Sequence, residues 1–160
     1  MNASANKVAQ KLRMSSSGFT LIELMVTIAV LAIIVGIAAP NISSQLANQR
    51  VKSTAATFTS ALKEARTESV IRRQEVTLSY KNNGKQAGAI ELEDDDSKFA
   101  TYSYDAKSII NSTSDEITFR PNKTADVMIF TICDDNKSIR PNQIMVSAIG
   151  VITTQPGGTC

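Results

Sequence analysis

Gly18-Phe19-Thr20-Leu21-Ile22-Glu23 opens a run of apolar residues that continues almost without break to Ala39. Residues 19–39 make 21 positions, close to the ~20 needed to span the hydrocarbon core of a bilayer. One carboxylate, Glu23, lies inside this run. An acid at membrane depth costs roughly 2.5–3.5 kcal/mol on insertion scales, so it is read first as a functional residue. A bare anchor would gain nothing from it. Upstream stand Lys7, Lys11 and Arg13, with no acid before Glu23. Basic residues beside the first apolar segment keep that flank cytoplasmic and send the rest of the chain across. The run does not read as a removable secretory signal. No Ala-x-Ala pattern precedes a cut after it, Ala38-Ala39-Pro40 being a poor substitute.

The chain carries 17 basic and 15 acidic side chains. Without residues 1–18, which hold three of the basic groups, 14 basic groups face 15 acidic ones, a net of −1. The basic character belongs to the leading segment, so net charge gives no reason to expect nucleic-acid binding by the rest. The length leaves room for one globular domain beyond the apolar segment.

Residues 19 to about 72 read as one long helix. Pro40 falls inside it, and a proline there removes the hydrogen bond to the carbonyl of Gly36. Gly36 and Pro40 together mark a kink, or the point where the helix leaves the membrane. Beyond Pro40 the pattern becomes amphipathic. Val51, Ala55, Phe58, Leu62 and Ala65 form one apolar stripe at helical spacing, suited to packing on a sheet. Lys63, Glu64, Arg66 and Glu68 lie off the stripe and read as a solvated face. Arg72 and Arg73 come at the helix end, where cations offset the macrodipole. After Arg73 the period switches to two: Val76, Leu78 and Tyr80 alternate with polar residues, and Asn82-Asn83-Gly84 turns the chain. Further strands are predicted at 89–93, 98–104, 116–120, 126–133, 143–148 and 151–154, with a hairpin at Ile149-Gly150. The nearly all-apolar segment 127–132 is expected at the centre of the sheet. The fold class is therefore α+β: a long N-terminal helix packed on an antiparallel β-sheet head. The expected divisions are a leader at 1–18, a membrane or assembly half of the helix at 19–40, an amphipathic half at 41–72 and a β-rich head at 73–160.

Catalytic chemistry finds little to use. The chain has no histidine, which removes Ser-His-Asp and Cys-His constellations and histidine metal sites. No glycine-rich phosphate loop is present. No enzyme, cofactor or metal site is expected. Glu91, Glu93, Asp94, Asp95 and Asp96 lack the spaced pattern of a calcium loop and read as a solvated turn. Asp134-Asp135-Asn136 also reads as a turn. Tyr80, Phe99, Tyr102 and Tyr104 could form a stacking platform, but packing on strand faces accounts for them more simply. Cys133 and Cys160 both fall on the translocated side, where disulfides form. Two cysteines without histidine make a poor zinc site, and a reactive thiol would lack its usual base. A Cys133–Cys160 disulfide is the strongest of the three readings. Closing a loop of about 28 residues would contribute roughly 3.5 kcal/mol in the chain-entropy picture.

The segment Gly18-Phe19-Thr20-Leu21-Ile22-Glu23-Leu24 resembles the prepilin signature of the type IV pilin superfamily. The resemblance implies cleavage between Gly18 and Phe19 by a prepilin peptidase on the cytoplasmic face, and N-methylation of Phe19. It also implies that Glu23 meets the N-terminal amine of a neighbouring subunit during assembly. The run Val127-Met128-Ile129-Phe130-Thr131-Ile132-Cys133-Asp134, followed by Arg140-Pro141-Asn142-Gln143-Ile144-Met145-Val146-Ser147-Ala148-Ile149-Gly150-Val151, is similar to the FimU/FimT minor pilins and to the H-type minor pseudopilins of type II secretion. Pairing of Cys160 with Cys133 points to the FimU-like branch. DNA-binding members of the group carry a Gly-Arg-x-Arg pattern after the hairpin glycine. Here Gly150-Val151-Ile152-Thr153 stands instead. Nearby Arg120, Lys123, Lys137 and Arg140 are offset in part by Asp126, Asp134 and Asp135, so DNA is the less favoured partner. The implied role is a minor pilin of a tip or priming complex. Its partners would be other minor pilins, the major pilin and the prepilin peptidase, with the inner membrane as its station before assembly and the cell-surface pilus after. A DNA-capturing pilin and a secretion pseudopilin are the alternatives.

Overall fold

The computed structural model describes residues 18–136 and 138–160, apart from the side chains of residues 38–41. The leader up to Ser17, and Lys137, lie outside the described residues. So does the side chain of Pro40, on which the expected kink turns. The chain divides into two units, Met1–Ala39 and Pro40–Cys160. One helical element, α1 (Leu21–Arg72), runs from the first into the second.

In the second unit α1 buries one face with helical periodicity: Ala47, Val51, Ala55, Phe58, Leu62 and Ala65, joined by Ala61. Val51, Ala55, Phe58, Leu62 and Ala65 are the stripe residues expected from spacing, Ala47 extends the stripe, and the alanines let strands approach closely. Eight strands follow: β1 (Val76–Lys81), β2 (Gly88–Glu93), β3 (Lys98–Tyr104), β4 (Ser108–Asn111), β5 (Glu116–Phe119), β6 (Met128–Asp134), β7 (Asn142–Val146) and β8 (Ile152–Pro156). They form two four-stranded sheets rather than one, in the orders β3-β2-β1-β5 and β4-β6-β7-β8. Every pairing is antiparallel. The division arises at β4, which the sequence pattern did not reveal. It pairs with β6, while β5 returns to the far edge of β1. The predicted 126–133 strand begins at Met128, because Asp126 is drawn aside to Arg120.

Period-two alternation places Val76, Leu78 and Tyr80 of β1 and Ile90 and Leu92 of β2 on the buried side. Met128, Phe130 and Ile132 of β6 face the same core. Phe58 of α1 joins the two sheets. Its ring lies edge-on to Phe130 with centroids 4.7 Å apart and to Tyr80 at 5.8 Å. Ser108 of β4 is buried because its hydroxyl accepts from Thr54 of the helix at 3.0 Å.

β6 is buried on both faces except at Ile129. The C-terminal segment supplies the second cover. Cys160 is bonded to Cys133, and the N–H of Gly157 donates to the carbonyl of Pro141 at 2.9 Å. Gly158 passes so near β6 that a Cβ there would stand 2.8 Å from Cγ2 of Thr131. The tail is thus pinned over Thr131 and Gln143. Cys133→Ser is expected to lower stability by about 2–5 kcal/mol, read as a fall in melting temperature under non-reducing conditions. An unchanged melting temperature would mean that the tail adds nothing to the fold.

Candidate functional site

In the first unit the helix begins beside a built cap. The N–H of Glu23 donates to Oγ1 of Thr20 at 3.3 Å, and the N–H of Leu24 to the carbonyl of Thr20 at 3.2 Å. Thr20-x-x-Glu23 is the spacing of a capping box. Glu23 therefore sits in the first turn, where the exposed N–H groups favour a negative charge. Among the described residues of this unit it is the only charged side chain, and no cation meets it. Thr27 turns its hydroxyl back on the carbonyl of Leu24 at 2.8 Å, which satisfies it within the helix.

Around this carboxylate, 13 large apolar side chains between Phe19 and Ile37 are at least 50% exposed. A helix apolar on all sides requires cover from lipid or from other helices. Among the described residues no single helix is long and apolar enough to cross a membrane, although Leu21–Ile37 and Ile42–Arg72 meet that test together.

Among the described residues no group of three His, Cys, Asp or Glu could hold a metal ion. Two acids of the run, Glu91 and Asp94, are held in ion pairs. Glu91 meets Lys98 at 2.7 Å and Lys81 at 3.7 Å, and the Lys98 hydrogen bond holds its carboxyl below the usual range. Asp94 accepts the N–H groups of Ser97 and Asp96, which hold its carboxyl low, and pairs with Arg72 at 2.8 Å. Arg72 stands in the last turn of the helix, as expected of a macrodipole cation, and also binds Glu68 and Asp94 and lies 4.0 Å over the ring of Phe99. The aromatic residues form no platform. Tyr80 is core, Tyr102 donates to Glu64 from β3, and Tyr104 donates to Asn82 at 2.7 Å from an environment that pushes its hydroxyl up to about 12.

Two residues have roles that sequence spacing did not show. Asp134 opens the expected turn, its Oδ1 accepting the N–H of Asn136 at 3.0 Å, but it does more. It closes β6 with a fully buried side chain gripped by Arg50, Nε to Oδ2 at 2.9 Å and Nη2 to Oδ1 at 3.2 Å. Arg66, expected on a solvated face, is half-buried, and its Nε is buried without a partner. Of the cations weighed for DNA, Arg120 is held by Glu75 and Asp126, and Arg140 is exposed.

An apolar N-terminal helix carrying one carboxylate, joined to a disulfide-closed α+β head, defines a pilin-like subunit. Residues 13–39 match the prokaryotic N-terminal methylation motif. Residues 54–150 match the family described as type II transport protein GspH. The second match spans more than half of the chain, and the protein belongs to that family. No curated protein sequence matches it. Among solved structures, the type IV minor pilin FimU of Pseudomonas aeruginosa PAO1 superposes with a TM-score of 0.58 at 19% identity, covering 68% of this chain and 90% of FimU. The minor pseudopilin EpsH from the type 2 secretion system of Vibrio cholerae gives 0.53 at 8%, covering 67% of this chain and 97% of EpsH. At these identities the likeness is one of fold.

Proposed function

We propose that this chain is a minor pilin of a type IV pilus, a structural subunit of the tip complex that primes assembly. The observation that carries this role is the exposed apolar helix whose one charge among the described residues is Glu23, beside its capped start. Cleavage between Gly18 and Phe19 frees an amine about one helical turn from Glu23, and methylation falls on Phe19. In a fibre, Glu23 pairs with the Phe19 ammonium of a neighbouring subunit, so that each buried charge compensates the other. The helix then packs among those of other minor pilins and the major pilin, after residence in the inner membrane with the head on the far side. The protein acts by assembly and carries out no reaction of its own. The Cys133–Cys160 link supports the FimU-like branch over an H-type pseudopilin. The uncharged stretch after Gly150 argues against DNA capture.

Glu23→Ala tests the pairing. The precursor should be cut at the normal rate, while the amount recovered in sheared fibres falls about tenfold or more, as breaking a buried charge pair implies. Normal incorporation of the cut variant would remove Glu23 from assembly.

A further inference from the structure

At the C-terminal end of α1 three segments converge on one small recess. The helix contributes Arg66, Thr67, Val70 and Ile71, and the turn between β5 and β6 contributes Lys123; the cavity between them is about 260 Å³. The third segment is the β7–β8 hairpin. The N–H of its Gly150 donates to the carbonyl of Ser147 at 2.8 Å, and the backbone there is left-handed, with φ at 66°. A Cβ at this position would stand 2.6 Å from the carbonyl oxygen of Lys123 and 3.1 Å from Nε of Arg66. Only glycine allows so close an approach, and it presses the hairpin onto the Arg66 side chain. The β5–β6 turn is itself fixed, by the Lys123 N–H to the carbonyl of Arg120 at 2.9 Å and by Asn122 accepting both donors of Thr124.

The charges at this recess are not neutralised. Nε of Arg66 is buried with no partner, and no acid pairs with Lys123 among the described residues. Several acids of the same helix stretch and its neighbouring segments are engaged elsewhere. Glu64 accepts the Tyr102 hydroxyl, Glu68 and Asp94 hold Arg72, and Glu75 and Asp126 hold Arg120. The remainder is two positive charges against a wall formed by Val70 and by Ile71, which is 68% exposed. Elsewhere in this chain an arginine so placed takes a carboxylate, as Arg50 does Asp134.

We infer that this recess docks a carboxylate-bearing apolar segment of a neighbouring fibre subunit, Arg66 and Lys123 taking the acid while Val70 and Ile71 take its apolar flank. The inference rests on the proposed subunit role. A protein acid suits the recess better than a nucleic-acid backbone. Duplex binding draws on many phosphate contacts, whereas two cations line this recess and the adjacent Arg120 is already held by two acids. A half-apolar recess also suits a side chain set among apolar neighbours rather than a hydrated phosphate.

The test places photoreactive p-benzoylphenylalanine at Ile71 in the full-length chain in its own cells, with a second probe at Val30 in the apolar helix. The Ile71 probe should join another pilin-like subunit through a peptide containing an aspartate or glutamate. Arg66→Gln with Lys123→Gln should lower that adduct about tenfold or more. Changing the identified acid to lysine should restore it when paired with Arg66→Glu. An unchanged melting temperature and an intact Cys133–Cys160 bond confirm the fold of the double variant; if it is destabilised, Lys123→Gln alone, on an exposed turn, serves instead. An adduct at Val30 with none at Ile71, an Ile71 adduct indifferent to both substitutions, or one to nucleic acid only would overturn the docking site and leave the subunit role standing. Loss of subunit adducts at both positions would overturn the subunit role and the docking site with it.

Discussion

Phe58→Ala is expected to lower the stability of the head by about 3–5 kcal/mol, the range for emptying a large aromatic site in a core. Phe58 is fully buried and its ring meets Tyr80 of one sheet and Phe130 of the other. Its loss opens a void where the helix and both sheets meet, and none of the three can close it without giving up the register of the others. Small domains hold only about 5–15 kcal/mol in total, so this one change would bring the head near its limit. Ile149→Ala provides the control: the residue is 68% exposed, and surface changes of this kind stay within about 0.5 kcal/mol. Urea unfolding of the detergent-solubilised chain reads both. Equal effects at the two positions would mean that the aromatic junction does not hold the sheets together.

Arg50→Ala is expected to cost about 3–5 kcal/mol, because it strands the buried Asp134 carboxylate. Asp134→Asn should cost less, about 1.5–3 kcal/mol, since the charge is removed along with its partner's bonds and Arg50, 22% exposed, can turn to water. The acid limb separates them further. Burial alone would raise the Asp134 carboxyl, but the Arg50 hydrogen bonds and the N–H of Asn136 outweigh it and hold the group below its ordinary value. A carboxyl lowered in the folded state stabilises above its unfolded value, near 3.9, and loses that contribution as pH falls through the folded one. The wild-type head should therefore weaken below about pH 4. In Arg50→Ala the main opposition to burial is gone and the N–H of Asn136 remains, so protonation relieves the variant and its deficit against wild type narrows in acid. A deficit constant between pH 7 and pH 3 would exclude this pair as the cause.

The local elements were legible because their signals are local. The stripe from Val51 to Ala65 and the alternation in β1 specify which face is buried, and the structure places those residues in the core. What failed to show is held by partners distant in sequence. β4 is four residues, Ser-Ile-Ile-Asn, with one isoleucine in and one out, too short to display a period. It exists because β6 pairs with it and Thr54 satisfies its buried serine. Asp134 has the sequence neighbours of a turn, and its role comes from Arg50, 84 positions away. The same holds for Arg66, whose burial depends on a hairpin glycine at 150. Two sheets rather than one follow from the same cause, since strand order is set by non-local pairing that periodicity does not encode. At the N-terminus the balance reverses. The apolar run and Glu23 were plain in sequence, and the structure adds only the Thr20 cap beneath them.

The central claim is that this chain is needed to start a fibre. The most direct measurement counts surface pili on cells lacking the gene, with retraction also disabled so that assembly alone is scored. Few or no pili, restored by the wild-type chain and not by Glu23→Ala, is the result expected of a priming minor pilin. Pili at normal number and length in the deleted cells would contradict it.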